Sequence, residues 1–128
     1  MAHVQRTPHD CAACCIAEVT GATYEEAVSG IGLAHIHHDV PAPYPSEIAQ
    51  AVEIATTGKW SATSRPIRTG PAKAGDLVLM AGLGAYPGWH CVALLPGSLH
   101  YDPADGLLKP HDPSRAMYVI ELSKKDGA

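Results

Sequence analysis

Apolar positions recur at helical spacing in the first half of the chain and gather into short strand-like runs in the second. From Cys11 to Thr20 the residues are apolar almost all round, interrupted only by Glu18, and Gly21 follows. Such a segment predicts a buried helix ended by the glycine, with Asp10 at its N-cap. Thr23-Tyr24-Glu25-Glu26 has the form of a capping box and opens a second, short helix expected to end near Ser29 or Gly30. Residues 31–45 keep no period and carry three prolines, the composition of a loop. A third helix is expected to start at a Ser46 cap, with Ile48, Val52 and Ala55 on one face.

Beyond Gly58 the pattern changes to β-branched and aliphatic runs bounded by Gly, Pro and Asp. Strands are predicted near Trp60 to Arg68, Asp76 to Met80, His90 to Leu95, Leu99 to Asp102 and Met117 to Leu122. Pro96-Gly97-Ser98 reads as a hairpin turn. Helices first and strands second make an α+β fold, N-terminal helices packed on a C-terminal antiparallel sheet. One domain over 1–128 is expected, with 1–4 and 123–128 frayed.

Composition narrows the function. The chain has 128 residues, 46% apolar, and a formal charge of -4 from nine Lys and Arg against thirteen Asp and Glu. That is enough chain for one core without staples, and it offers no basic stripe for phosphates or anionic lipid. Nucleic acid and membrane are therefore not expected partners. No charged leader with an apolar core opens the chain, and no apolar run reaches the roughly 18 residues of a membrane span, so a soluble, cytoplasmic protein is expected. In such a reducing compartment the four cysteines, three of them within residues 11–15, should be free thiols. With no Phe, the core must be built from Leu, Ile, Val, Ala and Met.

Cys11 falls in the first turn of the predicted helix, where free N–H groups and the positive end of the macrodipole favour a thiolate. Cys14 and Cys15, deeper in that helix, read as small apolar packing residues. Asp10 would raise the Cys11 thiol unless its carboxylate turns to cap the helix. His90 opens the run Cys91-Val92-Ala93-Leu94-Leu95, and a hairpin would return the chain to Tyr101-Asp102-Pro103. Pairing around that turn would make His90 and Asp102 neighbours at one open end of the sheet, as a base and its orienting carboxylate need.

Taken together, Gln5-Arg6-Thr7-Pro8-His9-Asp10-Cys11, Trp89-His90-Cys91-Val92 and Tyr101-Asp102-Pro103 resemble the papain-like cysteine peptidases. The nearest resemblance is to the peptidases that remove double-glycine leaders from bacteriocins and their small bacterial and phage relatives. Thr20-Gly21, Tyr24-Glu25-Glu26 and Gly75-Asp76 fit that pattern too. The resemblance implies a papain-like fold, a peptide or protein substrate, no cofactor, and a site of Cys11 nucleophile, His90 base, Asp102 orienter and Gln5 oxyanion donor. Ala12 departs from the Gly those peptidases usually carry after the nucleophile. The chain lacks their transporter and nucleotide-binding segments, so bacteriocin export is not implied.

Two other classes compete. Cys11, Cys14, His90 and Cys91 have the residue types of a tetrahedral zinc shell, although Ala12-Ala13 continue a helix where a metal knuckle would turn. A papain-like domain that has lost catalysis would serve as a binding module. His35-x-His37-His38-Asp39 is a further cluster, read as a structural loop, and His100, His111 and Asp112 imitate the preferred base and orienter from beyond the hairpin.

Overall fold

The computed structural model describes residues 4–6, 10–35, 43–81 and 89–125. Helix α1 spans Cys11–Thr20 and buries Ala12 through Ala17, as its apolar circumference demands. Gly21 ends it in the left-handed conformation, φ 80°, its N–H on the Ala17 carbonyl. Asp10 occupies the N-cap position, its carbonyl accepting the Cys14 N–H at 3.0 Å, but its side chain makes no cap hydrogen bond. Helix α2, Tyr24–Ala34, starts at the expected capping box, with Thr23 and Glu26 bonded reciprocally.

Its end differs from expectation. The helix runs through Gly30 and Gly32 to Ala34, because tertiary contact outweighs the roughly 1 kcal/mol each glycine costs in a helix interior. Gly30 lies close against helix α3, Pro45–Ala55: a Cβ there would stand 2.8 Å from the Ala51 carbonyl oxygen. The start of α3 also differs. Tyr44 is the cap residue, Pro45 takes the first helical position where its missing N–H costs nothing, and Glu47 Oε1 accepts the Tyr44 N–H at 2.8 Å. Ser46 sits inside the first turn. Ile48, Val52 and Ala55 are buried, as their spacing predicts.

The second half forms one antiparallel sheet of six strands: β1 (Trp60–Pro66), β2 (Leu77–Ala81), β3 (Trp89–Leu95), β4 (Leu99–Asp102), β5 (Leu107–Pro110) and β6 (Ala116–Lys124). Their order is β1-β6-β2-β3-β4-β5, so the last strand lies between the first two. The chain is thus α+β, three helices followed by an antiparallel sheet. Two features depart from expectation. Strand β5 was not predicted, and Ser123 and Lys124 are not frayed but pair with Ser61 and Trp60.

Alternation along the strands divides the apolar residues between two faces. Leu77, Leu79, Cys91, Ala93, Tyr101 and Ile120 pack under the helices in the main core, while Val78, Met80, Val92 and Leu94 form a smaller cluster on the opposite face. Helix α1 lies against β3. This brings the nucleophile candidate to the strand that carries the base candidate.

Candidate functional site

His90 and Asp102 are brought together: His90 Nε2 stands 2.7 Å from Asp102 Oδ1, with both residues buried. The hairpin achieves this with Gly97 and Ser98 both at positive φ and Ala93 opposite Tyr101. That register makes His90 and Asp102 diagonal rather than directly opposite neighbours on the sheet face, still within reach of a ring. With Nε2 engaged, Nδ1 is the ring nitrogen left to exchange a proton.

Asp102 is held at every side. Oδ1 also accepts the Ala104 N–H at 3.0 Å, and Oδ2 accepts Lys109 Nζ at 2.9 Å. Burial pushes the carboxyl upward, but His90, Lys109 and the Ala104 amide outweigh it and bring the group down to about 2. Asp102 is therefore a carboxylate at any physiological pH. Sequence reasoning missed Lys109 because it missed β5. Asp105-Gly106, with Gly106 at φ 76°, was the turn signal that could have found it.

Cys11 is the one cysteine of the four that is not buried, and all four are free. Its sulfur packs toward the Cys91 backbone, one residue from His90 along β3. His90 and Cys91 alternate to opposite faces of the strand, and among the described residues no hydrogen bond joins Cys11 to His90. The thiol is not activated. Burial, then the neighbouring Cys91 thiol, push it up to about 12, against the pull of the Cys91 and Ala12 amides, with Asp10 adding to the rise. Expectation favoured a thiolate from the helix N-terminus, but desolvation prevails.

Asp10 turns away from the helix to accept the Arg6 N–H at 3.0 Å and the Tyr24 hydroxyl at 2.6 Å. Arg6 lies 3.9 Å over the Tyr24 ring. These contacts fasten the segment before Cys11 onto α2, giving Tyr24 a structural reason that the sequence did not reveal. Gln5 is tied down nearby, its N–H on the Pro103 carbonyl at 2.7 Å. Its backbone thus adjoins the turn that follows Asp102, whereas no hydrogen bond links its side-chain amide to Cys11 among the described residues.

The competing clusters fare as follows. Among the described residues no three His, Cys, Asp or Glu side chains gather as a metal shell, so the Cys11, Cys14, His90 and Cys91 quartet is not assembled. Cys15 Sγ instead donates to the Cys91 carbonyl at 3.3 Å. His35 Nδ1 pairs with Glu47 Oε1 at 3.0 Å, while His37, His38 and Asp39 lie outside the described residues. His111 does not form a dyad with Asp112, which accepts both the N–H and the hydroxyl of Ser114. Its Nδ1 meets that of His100 at 3.0 Å, and burial depresses the basicity of both rings.

Asp102 lines a cavity of about 330 Å³ together with Met80, His100, Lys109 and Arg115. No helix is long and apolar enough to cross a membrane among the described residues. Comparison with protein-family models, curated proteins and solved structures finds no match for this chain.

Proposed function

We propose that this chain is a cysteine peptidase, or a related thiol hydrolase of papain-like fold, in which Cys11 attacks, His90 moves the proton and Asp102 orients His90. The observation that carries the reading is the buried 2.7 Å bond from His90 Nε2 to Asp102 Oδ1, which leaves Nδ1 for proton transfer. The arrival of a helix N-terminus bearing Cys11 beside the same strand supports it.

Because the thiol is held neutral, the chemistry differs from that of a resting thiolate. His90 Nδ1 takes the Cys11 proton as Sγ bonds to the carbonyl carbon, then gives it to the departing amine. Water, deprotonated by the same nitrogen, cleaves the thioester and restores the thiol. Gln5 and the Cys11 N–H are the donors assigned to the carbonyl oxygen as charge develops. The proton transfer requires Cys11 and His90 to come within hydrogen-bond reach around the end of β3, because Cys11 packs in the helix-side core while His90 points to the other face of the strand.

The test uses p-nitrophenyl acetate, a small activated ester that needs no side-chain recognition. The expected result is a burst of nitrophenolate and an acetyl group mapped by mass spectrometry to Cys11. The burst should be absent in Cys11→Ala, slowed in His90→Ala and retained in Cys14→Ala. Acetylation that spares Cys11, or that proceeds equally in His90→Ala, would remove the role assignment.

A further inference from the structure

We propose that Lys109 is a positioning residue for the His90–Asp102 pair, locking the carboxylate through its second oxygen and balancing its charge. Its catalytic meaning rests on the acyl-transfer reading above. Asp102 is engaged through both of its carboxylate oxygens. Oδ1 takes the His90 ring and the Ala104 N–H, so rotation of the carboxyl is limited only if Oδ2 is also held. Lys109 Nζ holds it at 2.9 Å.

Lys109 is itself aimed. It lies opposite His100 in the β4–β5 ladder, on the face that carries Asp102, and its ammonium is shared with Asp105 Oδ2 at 2.9 Å. Both carboxylates raise the ammonium's own affinity for its proton. The charged and titratable groups around the pair are Lys109 and Asp105 from β5 and its turn, His100 from β4, and Asp112 and Arg115 in the lining of the cavity.

With the ammonium in place, Asp102 offers His90 a directional acceptor whose charge is partly compensated. Such an acceptor orients the ring while giving less support to an imidazolium than a bare carboxylate would.

The experiment is nitrogen-15 NMR of the histidine rings in the full chain, comparing the parent with Lys109→Met, Lys109→Arg and Lys109→Gln. In Lys109→Met the His90 Nε2 proton should exchange with solvent about three- to fivefold faster, as expected for losing a half-exposed ion pair. The ring's pH profile should also move toward higher pH. Lys109→Arg should behave as the parent, and Lys109→Gln, which keeps a donor without charge, should retain the slow exchange yet move the profile. In an Asp102→Asn background Lys109→Met should change neither. A His90 profile that is the same in Lys109→Met and Lys109→Gln as in the parent, or that moves equally in Lys109→Arg, overturns the proposal. These ring measurements hold whether or not Cys11 takes the acetyl group, so a failed acylation would fell the peptidase reading alone.

Discussion

Cys11 should be a slow nucleophile at neutral pH, and its rate profile can be worked from its surroundings. Burial and the Cys91 thiol lift it from 9.0 to about 12. Three units correspond to roughly a thousandfold less thiolate at pH 7 than an ordinary cysteine would show, about 4 kcal/mol. Cys14 is raised to about 12 as well, burial holds the Cys15 thiol well above its ordinary value, and both are buried along with Cys91. Iodoacetamide should therefore label Cys11 before the others despite its low thiolate fraction. The rate should climb about tenfold per pH unit from 7 to 10 without levelling off. Mass spectrometry locates the label, and quenched time points at each pH give the rate. A plateau reached below pH 8.5 and lost in His90→Ala would refute the buried neutral thiol and mean that His90 already holds its proton.

Two further outcomes are expected. Gly30→Ala should destabilise the fold by about 1–3 kcal/mol, because its Cβ meets the Ala51 carbonyl and Ala55 backbone, whereas Gly32→Ala, with open space around it, should stabilise by up to about 1 kcal/mol; urea unfolding followed by circular dichroism checks both, and shifts of the same sign would contradict the α2–α3 contact. Asp102, depressed from 3.8 to about 2, contributes stability that is present above pH 3.8 and lost as pH falls through 2, on the order of 2 kcal/mol. Asp102→Asn should lack that part of the acid dependence, and identical curves for parent and variant between pH 4 and 2 would deny it.

What the sequence revealed followed local physics. Helix α1 was legible because apolar residues on all sides admit only a buried helix, and the Thr23–Glu26 box marked the start of α2 by its own hydrogen bonds. The end of α2 was not legible, since Gly30 and Gly32 look like terminators until α3 is seen against them. Strand β5 escaped because Leu107 and Leu108 are 59% and 57% exposed at the sheet edge and show no alternation, and Pro110 argues against a strand. The His90–Asp102 pair was readable from one hairpin. Lys109 was not, because it depends on the strand after it. The upward pressure on the Cys11 thiol was not legible for a different reason: the helix N-terminus is visible in sequence, but the desolvation that opposes it belongs to tertiary packing.

The place of β6 governs how the chain reaches its fold. Trp60 pairs with Lys124, so β1 emerges from the ribosome some sixty residues ahead of the partner it needs. The meander from β2 through β5 can close on its own short turns as it appears, while β1 and the outer side of β2 remain open edges until β6 slides between them. Closing so long a loop late makes this insertion the step expected to limit the folding rate, and the nascent chain is most exposed to intermolecular strand pairing just before it.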